Sequence, residues 1–261
     1  MKRTIFYFFA SLALLTSCQQ EDTLDETTGY GYLSFTDISV QVANVNNINT
    51  RSLVEDLSLR GEIRQDGETV RTLTQEDLLG GSIRQKTGNY IIMIYSDSYL
   101  EYAGWTDDEP GEAVYYAETT VTIAEGEENK VTVKLPMINF GVYLSLPEGF
   151  LTWFTDYTFT VGDGNRTVAL TNGQTAYFPY AEGAKITYTL HATNTDGEEM
   201  GGETVDYGTG EDESIRPNTI YTVDYSMAVQ SNLSAIIVSP SDTSNNGQAY
   251  LSFASMDCGA P

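Results

Sequence analysis

One histidine, two cysteines and 37 acidic side chains are the reactive groups this chain offers, and few of them stand in a pattern that does chemistry. His191 falls in Lys185-Ile186-Thr187-Tyr188-Thr189-Leu190-His191. In a strand it shares a face with Thr187 and Thr189, opposite Ile186, Tyr188 and Leu190, which predicts a solvent-facing residue. A nucleophilic triad needs a base beside a nucleophile and a carboxylate to orient it, and nothing around His191 supplies that set. Cysteine–histidine spacing for zinc is absent. Carboxylates cluster in Asp107-Asp108-Glu109, Glu198-Glu199 and Glu211-Asp212-Glu213. Glycoside hydrolysis requires two carboxylates facing one another across a cleft, and neighbours in a Gly- and Pro-edged run read as solvated turns. Asp163-Gly164-Asn165 and Asn194-Thr195-Asp196-Gly197 lack the alternating ligands and terminal glutamate of a calcium loop. The expectation is a protein without catalysis, metal or cofactor.

Binding has better parts. Tyr99, Tyr102, Trp105, Tyr115 and Tyr116 form two aromatic clusters interrupted by a loop rich in Gly, Pro and acids. Exposed rings stack on sugar faces while acidic neighbours accept hydroxyl hydrogen bonds. Core or interdomain packing accounts for the same rings. Exposed coplanar rings point to glycans, and buried ones to packing.

Cys18 is the second reactive position. Lys2 and Arg3 precede an apolar run from Ile5 to Leu15, and Leu15-Thr16-Ser17-Cys18 follows. A basic n-region, an h-region too short for a permanent span and small residues at a cut site make a signal peptide. It resembles a bacterial lipoprotein signal, in which residues 1–17 are removed and Cys18 is acylated. An ordinary secretory signal with a chance cysteine is the plain alternative. Gln19 to Glu26 is polar and acidic, and residues 18–29 read as a disordered tether. Such an acidic patch also resembles the signal by which Bacteroidota export lipoproteins to the outer face of the outer membrane, so the predicted location is surface-exposed and lipid-anchored.

Charge narrows the partners. Cleavage takes Lys2 and Arg3 from 13 basic residues and none of the 37 acidic ones, so the net charge moves from −24 to about −26. That field repels polyphosphate, and no basic stripe offsets it, which excludes nucleic acid as a partner class. It also repels an anionic membrane, leaving the lipid as sole anchor. With Cys18 acylated, Cys258 has no disulfide partner, and stability must come from core burial.

No helical period is sustained beyond the signal. Short alternating stretches rich in Val, Ile, Thr and Tyr recur between Gly, Asn and Asp, an all-β pattern. Strands are expected over Tyr30 to Val42, Ser58 to Gln65, Asn89 to Ser96, Tyr115 to Ile123 and Lys130 to Leu135. A second set covers Val142 to Leu146, Tyr157 to Val161, Thr167 to Leu170, Lys185 to Thr193 and Tyr221 to Met227. Asp66-Gly67 marks a hairpin, Glu125-Gly126 a turn, and Gln75 to Leu79 at most a helical turn. A break near Pro136 divides residues 30–137 from 138–228, two similar β-sandwich modules, with a C-terminal tail over 229–261. In that tail Tyr250-Leu251-Ser252-Phe253 repeats Tyr32-Leu33-Ser34-Phe35, Met256 answers Ile38 and Cys258 answers Val40. Both copies slip phase by one residue after the phenylalanine, which predicts a β-bulge.

Gly31 to Phe35 leading to Asn49-Thr50-Arg51, Gly88 to Ser96, Ala103-Gly104-Trp105 and Ala181 to Gly197 together resemble the fimbrillin-like surface lipoproteins of Bacteroidota, a domain family of unknown function. The match runs from about Tyr30 to Met227. The resemblance implies two transthyretin-like, Greek-key β-sandwiches serving in a pilus shaft, anchor or tip adhesin. It implies that a lipidated precursor is cut after an arginine, for which Arg51 in the polar stretch Asn46 to Ser52 is the candidate, or else a solvated loop charge. The first strand then leaves a groove that a donor strand fills. The candidate donor strand is Tyr250, Leu251, Phe253, Met256 and Cys258; the alternative is an intramolecular edge strand beside the first one. The implied partners are other fimbrial subunits or further copies of the chain by strand exchange, glycans or host or bacterial surface molecules, and the outer membrane through the lipid. A monomeric glycan-binding lipoprotein of a nutrient-uptake system is the alternative function.

Overall fold

The computed structural model describes residues 29–41, 57–209, 214–229, 236–240 and 256–258. Seven strands build the first sandwich: β1 (Tyr30–Gln41), β2 (Leu59–Gln65), β3 (Glu68–Leu73), β4 (Ser82–Lys86), β5 (Gly88–Ser96), β6 (Tyr116–Ile123) and β7 (Glu128–Pro136). Their sheets run β4-β1-β7 and β3-β2-β5-β6. The next seven are β8 (Phe140–Ser145), β9 (Phe154–Gly162), β10 (Thr167–Leu170), β11 (Thr175–Phe178), β12 (Ile186–Asn194), β13 (Glu199–Tyr207) and β14 (Thr219–Val229). They repeat the plan strand for strand, as β11-β8-β14 and β10-β9-β12-β13. In each unit the first and last strands pair in parallel and every other pairing is antiparallel. The chain is thus all-β, with two sandwiches in tandem. Among the described residues the second unit alone carries two further strands, β15 (Ile236–Pro240) and β16 (Met256–Cys258), which extend its sheet beyond β14.

Local chemistry accounts for the elements. In β12, Ile186, Tyr188, Leu190 and Ala192 are buried while Thr187, Thr189 and His191 are half-buried, the alternation of a strand with one face on a core. Asp66 and Gly67 take φ of 54° and 87° and close the β2–β3 hairpin with the positive-φ pair such a turn requires. Helix α1 (Gln75–Gly80) begins in a capping box, with Thr74 Oγ1 accepting from Asp77 N at 3.3 Å and Asp77 Oδ2 accepting from Thr74 N at 2.9 Å. Leu78 is its one buried residue, and its six residues make a little under two turns, slightly more than the single turn expected.

Four strands of the two sandwiches escape the alternation signal, as does β15 beyond them. β13 has a Gly-Gly pair and no buried residue, because it is an edge strand that presents little to the core. β3 and β4 are edges as well, and β11 is four residues long on a fourth edge. The expected bulge is present: pairing of β1 with β7 shifts between Phe35 and Asp37, leaving Thr36 as the extra residue. Leu33, Ile63, Ile92 and Leu135 centre the first core, and Phe140, Phe159, Phe178 and Tyr188 the second.

Candidate functional site

β1 is clamped from both sides. Tyr30 to Ser34 pair with β4, and Tyr32 to Gln41 pair with β7. Gly31 is buried where a Cβ would stand 2.2 Å from the Ala124 carbonyl oxygen, so glycine alone lets the strand pass the β6–β7 turn. Backbone bonds from Gly126 N to Tyr30 O and from Tyr32 N to Glu127 O, 2.9 and 2.8 Å, fix that passage. Leu33, Ile38 and Val40 point into the core at 0%, 7% and 2% exposure. The bulge makes this possible, because Leu33 and Ile38 stand an odd number of residues apart and an unbroken pleat would turn one of them outward. Cys18 and Arg51 lie outside the described residues, as do Tyr250, Leu251 and Phe253. Met256 and Cys258 lie in β16, in backbone register with Val238 and Ile236 of β15. The described part of the tail therefore sits at the edge of the second sandwich and not beside β1.

The aromatic residues divide three ways. The outward face of β2, β5 and β6 carries the cross-strand rows Arg60–Tyr95–Tyr116 and Glu62–Met93–Glu118. Residues 97–115 fold back onto it through two 3₁₀ turns, Asp97–Leu100 and Tyr102–Gly104. Tyr99 stacks on Tyr116 with centroids 4.7 Å apart, meets Tyr95 at 5.2 Å and stacks on Tyr102 at 5.9 Å. Tyr99, Tyr102 and Tyr116 are half-buried by one another, and Tyr95 and Met93 are covered although they point away from the core. Tyr95 is a member the sequence reading missed; its phase opposite Tyr90, Ile92 and Ile94 was the available signal.

Polar groups frame this stack. Glu62 accepts from Thr69 Oγ1 at 2.7 Å, Arg64 Nε at 2.8 Å and the Tyr95 hydroxyl at 3.1 Å. The Thr69 bond is the largest influence holding its carboxyl below the usual range, against the opposing effect of burial. Tyr116 donates to Glu118, and burial followed by that carboxylate raises its phenol. Arg60 pairs with Asp97 at the start of the first 3₁₀ turn.

Tyr115 points the other way, into the first core at 6% exposure, and burial pushes its phenol up to about 12. Above the ordinary phenol value of 10.0 the unfolded chain loses this proton before the folded one. Stability is therefore expected to fall as pH rises from 10 to 12, by about 3 kcal/mol for this residue. Tyr115→Phe should flatten that part of an alkaline unfolding profile followed by circular dichroism.

Trp105 meets Tyr102 of the stack edge-on at 6.3 Å and reaches the junction between the sandwiches. A Cβ on Gly111 would lie 2.6 Å from its ring, and the Arg166 guanidinium lies 5.5 Å from its centroid on the second sandwich. Arg166 is 7% exposed and donates Nη1 to the Thr106 carbonyl at 3.1 Å and to the Glu109 carbonyl, and Nη2 to the Tyr177 carbonyl. Its carbon stands 5.0 Å from the Phe178 centroid. Thr167 N donates to Asp107 Oδ1 at 3.2 Å and Tyr177 N to Pro110 O at 2.7 Å. Asn139, fully buried, accepts from Val114 N at 3.0 Å and donates to Glu112 O at 2.8 Å. The 107–109 acid run is thus an interdomain strap: Glu109 also accepts from Thr106 N at 2.7 Å.

The remaining candidates are local. His191 Nε2 stands 3.8 Å from Glu199 Oε2 on a partly solvated surface. Asn194 Oδ1 accepts from Asp196 N and Glu198 N, and Asp163 Oδ1 from Asn165 N and Arg166 N, all turn closures. Among the described residues no group of three His, Cys, Asp or Glu could hold a metal, and no helix is long and apolar enough to cross a membrane.

Two sandwiches of identical strand plan, strapped together at one junction, define a duplicated seven-strand β-sandwich protein. The chain belongs to the family described as Domain of unknown function (DUF4493), whose model matches residues 29–250. No curated protein matches it. Solved structures similar to it include a candidate adhesin from Bacteroides ovatus, at 11% identity and a TM-score of 0.40, with 87% of this chain and 96% of that one covered. A candidate cell adhesion protein from Bacteroides uniformis aligns at 12% identity and 0.44, covering 79% and 94%. A candidate polysaccharide-binding protein (DUF1812) from Bacteroides thetaiotaomicron aligns at 12% and 0.37, covering 80% and 95%. Superpositions this distant assign neither ligand nor partner to the chain.

Proposed function

We propose that the protein is a cell-surface lipoprotein of the outer membrane, acylated at Cys18, that acts as a fimbrial or adhesion component without catalysis. Its working element is β1. The observation that supports this is the clamp: one continuous strand supplies Leu33, Ile38 and Val40 to the core between β4 and β7 and is followed by the stretch that contains Arg51. Withdrawal of the strand would leave a groove with three apolar sockets, each worth about 1.5 to 3 kcal/mol to a side chain that refills it. Backbone pairing along β4 and β7 would add affinity to an incoming strand, and alternate side chains would set its register. Tyr250 to Cys258 of another copy carries the matching apolar spacing.

The test is digestion of purified protein with a trypsin-like protease, read by intact mass and by size. A single cut after Arg51, release of residues up to that point and growth of oligomers are the expected results. A cut that leaves β1 bound and the protein monomeric would reject strand exchange. The alternative, a monomeric glycan receptor, would draw on Tyr99, Tyr102 and Tyr116. Those rings stack on one another in place of presenting free coplanar faces, which ranks it second. A glycan array on uncut monomer separates the two readings.

A further inference from the structure

The far end of the second sandwich carries a cleft of about 350 Å³ that neither the clamp nor the tyrosine stack uses. Strand directions place it. β8 leaves the interdomain junction at Phe140, so the connection after Ser145 lies at the opposite end, together with the β10–β11 and β12–β13 turns. The β8–β9 connection passes through helix α2 (Phe150–Trp153), and Thr195 N donates to the Trp153 carbonyl at 3.0 Å. Asn172 accepts from Leu146 N through Oδ1, and its own N–H donates to the Tyr157 hydroxyl, both at 2.8 Å. The cleft is bounded by these residues with Pro147, Phe150 and Leu151. Phe150 stacks on Phe154 at 4.5 Å and meets Tyr157 edge-on at 5.6 Å, so the floor is rigid. Leu151, which lines the cleft, is 67% exposed, and Trp153 of the same helix is 43% exposed, side chains a folded chain normally withdraws from water.

Charge selects the occupant. Beyond Lys134 the sequence has three cations, Arg166, Lys185 and Arg216. All three belong to the junction end: Arg166 is bonded into the strap, Lys185 lies 3.1 Å from where a Gly164 Cβ would stand, and Arg216 N donates to the Tyr221 hydroxyl near the start of β14. The cleft end carries Glu148, Asp156, Asp196, Glu198 and Glu199, all exposed, and no cation among the described residues. Glu148 lines the cleft itself and the other four acids lie on the same pole, so the local field repels uronates, sulfated sugars and phosphates and attracts a cation that follows an apolar group. β1 begins at the far end of the first sandwich and runs to the junction, so this cleft is at the pole opposite the start of β1.

We propose that this pole is a docking surface for a protein segment that presents a large apolar side chain flanked by lysine or arginine. The socket takes the apolar side chain against Phe150 and Leu151, and Glu148, Glu198 and Asp196 face its basic neighbours. Docking here does not depend on exchange of β1.

The test uses the whole mature protein and a labelled peptide, Lys-Leu-Trp-Lys-Leu-Lys-amide, in fluorescence anisotropy, with a glutamate-for-lysine peptide and uncharged maltohexaose as competitors. Affinity is expected to fall about tenfold between low and physiological salt, and about fivefold or more in Leu151→Ser and in Glu148→Lys. Glu68→Lys, at the opposite end of the molecule, controls for net charge and is expected to bind within about twofold of the parent. Because Leu151 and Glu148 are exposed, both variants should keep the parent melting temperature. Equal loss in Glu68→Lys, unchanged binding in Leu151→Ser, or displacement of the peptide by maltohexaose would each overturn the proposal.

Discussion

Arg166→Ala is expected to destabilise the protein by about 3 to 5 kcal/mol. The side chain is buried at the junction, and three main-chain carbonyls, those of Thr106, Glu109 and Tyr177, take their donors from its two terminal nitrogens. Alanine leaves those carbonyls facing a void under Trp105 and Phe178. Arg166→Met keeps the stem over the rings and removes only the donors, so it should cost about 2 to 3 kcal/mol. The difference between the two variants measures packing apart from hydrogen bonding. Loss of the strap should also split one unfolding transition into two, since the sandwiches have separate cores. Trp105 reports it: in a Trp153→Phe background it is the single tryptophan, and its emission should shift to the red as the 97–115 segment comes away. A single transition with unshifted emission in Arg166→Ala would show that the strap holds without its arginine.

Leu33→Ala should destabilise the first sandwich by about 2 to 5 kcal/mol, as a leucine removed from a rigid core does. Its side chain is fully buried, and its strand neighbour Tyr32, 44% exposed, provides the contrast: Tyr32→Ala should cost no more than about 0.5 kcal/mol. Denaturant melts of both variants test the energetics. The functional consequence is separate. If β1 is the element that leaves, Leu33→Ala should hasten both the cut after Arg51 and the growth of oligomers, because the strand opens more often. A variant that melts earlier yet yields the same digestion rate and the same monomer would show that β1 is structural alone.

Strand identity was readable wherever a strand has one buried face. β12 alternates cleanly and β1 does so up to its bulge; even the one-residue slip after Phe35 could be seen in the phase of Leu33, Phe35, Ile38 and Val40. Edge strands such as β13 were not readable, since a strand that buries nothing leaves no period in the sequence. The aromatic candidates show the same limit. Tyr99, Tyr102, Trp105, Tyr115 and Tyr116 are close in sequence, yet three join a stack with Tyr95 on an outer sheet face, one anchors the junction and one enters the core. Adjacent residues of a strand point to opposite faces, so Tyr115 and Tyr116 had to part.

The sequence by itself determined the all-β class, the duplication and the anionic surface, because alternation, turn residues and charge are local properties that each stretch carries alone. Only the tertiary structure decided that β1 lies parallel to β7, that Arg166 gathers carbonyls from two separate segments, and that the described residues at one pole of the second sandwich include no lysine or arginine. Those facts depend on contacts between residues as much as about a hundred positions apart. Such pairings are chosen by the combined burial of both sandwiches, a free energy that no single segment contains.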